Sequence, residues 1–140
     1  MVKKTIVLLL FVLWTAGLGW AASSDSYNFI APKNLKSRID ANSSISIIDI
    51  CPIEQFAKGH IKGSIETNAY PMKTKEEKAR LAEYLPKIKV SSDDVVIVCP
   101  RGGGGAKRAF DFYNANGVEK SRLLILEKGM DGWPYETEKK

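Results

Sequence analysis

The sequence predicts an α/β fold with a mainly parallel central sheet and helices on both faces. Three observations carry that prediction. First, apolar runs with no in–out alternation recur at Ile45–Ile50, Val95–Val98 and Leu123–Leu126. Such runs suit strands buried on both faces, as parallel strands are. Second, segments with helical spacing alternate with these runs, so consecutive strands are joined by helical crossovers. Third, the chemically suggestive residues, Asp49–Cys51 and Cys99–Gly105, follow strand ends. The carboxyl edge of a parallel sheet is where such folds carry their sites.

Each element has its own local reason. Residues 22–29 are read as a loose N-terminal tether, polar around Ser23–Tyr27. Pro32 fits the first turn of a helix, and Leu35 and Ile39 follow it at helical spacing. Ser43-Ser44 marks a turn before the strand Ile45–Ile50. Glu54–Lys58 is read as one short helical turn, stopped by Gly59, and Ile65–Asn68 as a short strand. Thr74–Tyr84 places Ala79, Leu81, Ala82 and the following Leu85 among many charges, which predicts an amphipathic helix ending near Pro86. A turn at Ser92-Asp93-Asp94 leads into Val95–Val98. A helix over Ala106–Asn116 would bury Ala109, Phe110 and Tyr113 and stop at Gly117. Leu123–Leu126 is the last strand, Gly129–Trp133 a compact turn with Met130 and Trp133 as packing residues, and 136–140 a charged tail.

The first 21 residues are set apart from this pattern. Lys3 and Lys4 precede an apolar run from Ile6 to Trp14, and Gly19 and Ala21 stand at the −3 and −1 positions of a small-residue cleavage site. This predicts a secretory signal peptide over 1–21 and an exported, periplasmic protein. The alternative is an uncleaved segment, since Thr5–Ala22 approaches the length that spans a bilayer. Only through that segment would a membrane be involved. Removing Lys3 and Lys4 lowers the formal charge from +5 to +3, because Asp25 is the first acidic residue. That mild positive charge suits a small anionic substrate. Basic residues alternate with acids over Lys73–Glu83 and form no tract with interleaved aromatics, so no nucleic-acid partner is expected. Two cysteines and one histidine lack the number and spacing of a closed zinc site. No metal or organic cofactor is implied.

Cys99 is the leading candidate for chemistry. A strand ends there and four glycines, Gly102–Gly105, follow before a helix. Main-chain N–H groups of such a turn and of the first helical residues converge on one point and favour a thiolate over a thiol. The plain alternative is a buried core cysteine. Arg101 is the only cation within the loop, and it either attracts an anionic substrate or is a solvated loop residue. Lys107 and Arg108 open a helix, where the helix dipole disfavours cations; they either serve an anion or line a solvent face. Asp49 is expected to accept main-chain hydrogen bonds near the loop.

From about Ile30 to Pro134 the chain resembles the single-domain rhodanese family of sulfurtransferases. Three stretches carry the resemblance. Ile47-Ile48-Asp49-Ile50, followed by Glu54, Phe56 and Gly59-His60-Ile61-Lys62-Gly63-Ser64-Ile65, resembles the family's first strand and its G-H-I-x-G-A/S-x signature. Val95–Cys99 with its glycines resembles the active-site strand and loop. Leu126–Trp133 resembles the closing L-x-G-G-x-x-x-W segment, with Lys128 where a glycine is usual. The resemblance implies a rhodanese-like α/β domain over 30–135. It also implies that Cys99 takes sulfane sulfur from thiosulfate or polysulfide as a persulfide and passes it to cyanide, a thiol or a protein acceptor. The family loop would run from Cys99 to Gly104, with Arg101, Gly102, Gly103, Gly104 and Gly105 as substrate-binding positions. Many members carry an arginine at the sixth loop position and a hydroxyl residue next; Gly104 and Gly105 stand there. The four glycines predict a wide, mobile pocket suited to a chain-like donor such as polysulfide. The related phosphatase signature, C-x5-R, fails because Gly105 occupies its arginine position.

The resemblance places His60 in a structural turn. Where the family usually has D-V-R, this chain has Asp49-Ile50-Cys51. Cys51 is thus a possible second thiol, either resolving a persulfidated or oxidised Cys99 or standing without a partner. Two other functions remain open: a non-catalytic polysulfide carrier delivering to a respiratory enzyme, and a Cys51–Cys99 thiol–disulfide redox protein.

Overall fold

The computed structural model describes residues 26–140. The expected signal peptide and the first residues of the expected tether lie outside the described residues. Five strands form one sheet in the order β1-β5-β4-β2-β3. They are β1 (Phe29–Ile30), β2 (Ile45–Asp49), β3 (Ile65–Glu66), β4 (Asp94–Val98) and β5 (Leu123–Leu126), and every pairing is parallel. Ile48 opposes Ile97, Asp49 opposes Val98, and Ile97 opposes Ile125.

Five helices cover the sheet: α1 (Pro32–Asp40), α2 (Ile53–Lys58), α3 (Lys75–Ala82), α4 (Leu85–Val90) and α5 (Gly104–Ala115). Alternate strand residues feed two cores. Ile48, Ile50, Val95, Ile97 and Cys99 pack with Leu81, Ile88, Phe110 and Tyr113 from α3, α4 and α5. Ile47, Val96, Val98 and Leu126 pack with Leu35 of α1 on the other face, where Met130 and Trp133 also settle. Burial on both faces explains why the central strands are continuous apolar runs.

The local signals act as their chemistry requires. Pro32 opens α1. Thr74 caps α3 in a capping box: its hydroxyl accepts the Glu77 N–H while the Glu77 carboxylate accepts the Thr74 N–H. Pro86 departs from expectation, because it sits in the first turn of α4 instead of ending a helix. A proline is tolerated there since the first-turn N–H groups lack intrahelical acceptors anyway.

Both chain ends of the domain are docked. The described end of the expected tether is not loose: Phe29 and Ile30 add a strand beside β5, the Tyr27 ring meets Phe110 edge-on, and the Tyr27 hydroxyl donates to Asp111 at 2.9 Å. At the other end the charged tail is also held. Main-chain bonds of 2.9 and 2.8 Å join His60 and Glu138, and the Lys140 N–H donates to the Ala57 carbonyl. Polar composition is therefore no guide to freedom here, because main-chain pairing needs no apolar side chain.

β2 and β4 lie side by side at the centre. The chain leaves β2 toward β3 on one side and leaves β4 toward β5 on the other. Their carboxyl ends therefore diverge and open a crevice, the usual seat of a ligand in such sheets. Asp49–Cys51 and Cys99–Gly105 line that edge.

Candidate active site

Cys99 directly follows β4, and its carbonyl oxygen is held by the Met130 N–H at 2.9 Å. The next carbonyl, of Pro100, accepts the Asp131 N–H at 2.9 Å. These bonds dock the loop after β4 onto the turn after β5. Within the loop, the Gly102 N–H donates to Cys99 Sγ at 3.0 Å. Gly102 reaches this position with φ +70°, and a side chain there would also run into the main chain of Leu126 and Lys128. The α5 helix starts at Gly104, two residues earlier than its apolar spacing suggests, and its first intrahelical acceptor, the Gly103 carbonyl, takes the Lys107 N–H. The N–H groups of Gly104, Gly105 and Ala106 precede that bond and have no acceptor among the described residues. So one donor of the expected ring addresses the sulfur, and three first-turn donors stand unused at the same end of the strand.

The wide pocket expected from the glycines is not what the structure contains. Cys99 is only 1% exposed. The glycines serve close packing instead. A Cβ on Gly105 would fall 2.8 Å from the Tyr70 ring, and one on Gly102 would fall 2.8 Å from the Leu126 carbonyl oxygen. Gly103 alone in the run faces open space. Access to Sγ therefore requires the loop to part.

The other candidates fall in different places. Arg101 is 86% exposed, with its guanidinium 3.8 Å from the Asp131 carboxylate. Lys107 lies over the Tyr27 ring at 5.4 Å. His60 is structural, as the turn motif implies: it stacks on Phe56 with centroids 3.9 Å apart, and Nδ1 lies 3.0 Å from the Phe56 carbonyl oxygen. Cys51 is buried and unbonded to Cys99; both thiols are free. Burial, reinforced by the Asp49 carboxylate, pushes the Cys51 thiol up, so it is held protonated and is a poor attacking group as it stands. Among the described residues no cluster of His, Cys, Asp or Glu could hold a metal.

Asp49 is fully buried. Its Oδ1 accepts the Cys51 N–H at 2.8 Å, as expected of an aspartate at a strand end, while Oδ2 has no partner. Burial raises its pKa above the ordinary 3.8, and the Cys51 amide only partly opposes this. The folded state then holds the proton more tightly than the unfolded chain. Stability contributed by protonated Asp49 is full below the ordinary value and is lost as pH rises through the raised one. Asp49→Asn keeps the acceptor for Cys51 and removes the charge. It is expected to stabilise the protein at neutral pH, because the charge that burial disfavours is gone. It should also flatten the fall in stability above pH 3.8. Denaturant midpoints of both proteins across that range test this, and parallel pH slopes would refute it.

A family model described as rhodanese-like domain matches residues 31–136. The chain belongs to the rhodanese-like family. Solved structures agree on the fold. A rhodanese-like domain protein from Staphylococcus aureus superposes with a TM-score of 0.62 at 23% identity, over 81% of this chain and 98% of that one. A thiosulfate sulfurtransferase from Pseudomonas aeruginosa gives 0.63 at 16% identity, over 81% of this chain but 20% of its own. An As–Sb reductase from Leishmania major gives 0.60 at 17% identity, over 77% of each chain. At these identities the likeness is one of fold. Among curated proteins no sequence matches the chain significantly.

Proposed function

We propose that this rhodanese-like protein is an exported sulfurtransferase whose carrier is Cys99. The Cys99 thiolate attacks the sulfane sulfur of thiosulfate or a polysulfide. An S–S bond forms to Cys99 as the donor's S–S bond breaks, and with thiosulfate the leaving group is sulfite. The outer sulfur of the persulfide then carries the negative charge. A thiol, cyanide or protein acceptor attacks that sulfur and restores the Cys99 thiolate.

The observation that supports this reading is the Gly102 N–H at 3.0 Å from Sγ, with the N–H groups of Gly104–Ala106 left without an acceptor at the start of α5. An anion that grows outward from Sγ by one atom needs donors placed beyond the ones the thiol already uses. Phosphatase chemistry, which some relatives of this fold are named for, fits less well, since Gly105 stands where that signature needs arginine.

The test is the intact mass of reduced protein after exposure to thiosulfate and to polysulfide. A gain of one sulfur, mapped to the Cys99 peptide and removed by cyanide, is the expected result. No gain, or a gain confined to Cys51, rejects the reading. Export rests on the residue pattern of 1–21 and is tested separately. The protein recovered from cells should begin at Ala22, and an intact Met1 in a cytoplasmic fraction rejects export.

A further inference from the structure

We propose that Arg108 is the specificity-determining cation of the Cys99 site, and that it selects donors ending in an oxyanion group, as thiosulfate does. The proposal rests on the sulfurtransferase reading for the reaction, but its own evidence is geometric.

Arg108 sits one helical turn after Gly104, and its side chain folds back toward the loop. Its Nη1 lies 3.0 Å and its Nη2 3.5 Å from the point where a Cβ on Gly104 would be. The guanidinium thus fills the space that the glycine leaves at the start of α5. It is anchored there: Nε–H donates to the Pro71 carbonyl oxygen at 2.9 Å. The same segment supplies the Tyr70 ring that covers Gly105. The plane of the guanidinium is thereby fixed while both Nη groups remain without an acceptor among the described residues. No carboxylate pairs with Arg108 within ion-pair distance among those residues.

Electrostatics makes this placement costly without a ligand. The amino end of a helix already carries positive partial charge, and a cation beside it is disfavoured. Here a half-buried guanidinium stands over Gly104, in the first turn of α5. An anion at the loop mouth would satisfy both at once. The other nearby cations are not arranged for this. Arg101 is turned to solvent beside Asp131, and Lys107 lies over Tyr27. A planar fork with two open N–H groups matches the oxygens of a sulfonate-like end better than a bare sulfur chain, which offers weaker acceptors.

The experiment compares sulfur transfer to cyanide from thiosulfate and from an uncharged organic trisulfide. Arg108→Gln keeps a donor for Pro71 and removes the charge. Its KM for thiosulfate should rise about tenfold, with kcat changed less than about threefold and with the trisulfide unaffected. Arg108→Lys should fall between the two proteins. Equal losses with both donors would make Arg108 a mere clamp on the Pro71 segment and overturn the proposal, as would an unchanged KM for thiosulfate. Sulfate binding by calorimetry reads the same site without turnover. Arg108→Gln should weaken it about tenfold, and equal affinities overturn the proposal whether or not Cys99 proves to carry sulfur. A wild-type protein that binds sulfate through Arg108 yet never loads sulfur would instead overturn the sulfurtransferase reading alone.

Discussion

Cys99→Ser is expected to abolish sulfur loading and to lower sulfur transfer by roughly four orders of magnitude, the scale on which removing an attacking group acts. The reason is local. A serine hydroxyl must lose a proton before it can attack, and among the described residues no base is hydrogen-bonded to Sγ to take one. The hydrogen bond to that sulfur comes from a donor, the Gly102 N–H. His60, the single histidine, is engaged with Phe56 and Glu138. The fold should be indifferent, because a serine oxygen fits the same space and accepts the Gly102 N–H. Unchanged melting with lost activity is thus the expected pairing. Cys51→Ser is the informative companion. Its thiol is held protonated by burial and by Asp49, so its loss should leave the loading of Cys99 intact. If Cys51→Ser abolished transfer while Cys99→Ser kept it, the roles assigned to the two thiols would be reversed. Retention in both would mean that neither thiol is needed alone, and the double variant would then decide whether the transfer uses a thiol at all.

Much of this site is legible in the sequence because it depends on main chain. An apolar run with no alternation can be buried on both faces only in a covered sheet, and β2, β4 and β5 are so buried. The glycines after Cys99 announce a tight turn, and Gly102 indeed takes φ +70°. Lys128, which departs from the family's glycine, stands at φ +60°, in the left-handed region glycine usually fills. What escapes the sequence depends on partners distant in the chain. The two-residue strand Phe29–Ile30 is too short to show a period, and it exists because β5 offers it an edge. The tail from Glu136 looks solvated until His60 presents main-chain partners to Glu138. A wide pocket follows from four glycines only if nothing occupies the space they leave. Tyr70, the main chain around Leu126 and the Arg108 guanidinium occupy it. The direction of the Arg108 side chain has no signature in spacing, since its anchor at Pro71 lies 37 residues away.

Gly129→Ala is expected to be the most damaging single methyl in the domain. Gly129 has φ +57° and ψ −153°, a conformation essentially reserved for glycine. Its Cβ would overlap the Cys99 carbonyl oxygen and lie 2.7 Å from the amide nitrogens of Arg101 and Gly102. All three are main-chain atoms, so no side chain can swing aside. The turn after β5 would have to lift away from the loop after β4. That motion breaks the Met130-to-Cys99 and Asp131-to-Pro100 hydrogen bonds together and leaves their carbonyls buried without donors. Strain and lost bonds together should cost about 3 kcal/mol or more, a large share of the 5–15 kcal/mol that holds a typical domain. A fall in melting temperature of at least ~10 °C is the expected reading. Sulfur loading should fail even below that temperature, because the Gly102 N–H that faces Sγ belongs to the displaced loop. Gly103→Ala supplies the contrast within the same loop. No atom lies within 4 Å of its Cβ, and it should cost no more than about 1 kcal/mol. If the two alanines proved equally mild, the turn after β5 would not be what holds the Cys99 loop shut. If Gly129→Ala melted normally yet loaded sulfur faster, the seam would act as a brake on entry of the donor rather than as the brace argued for here.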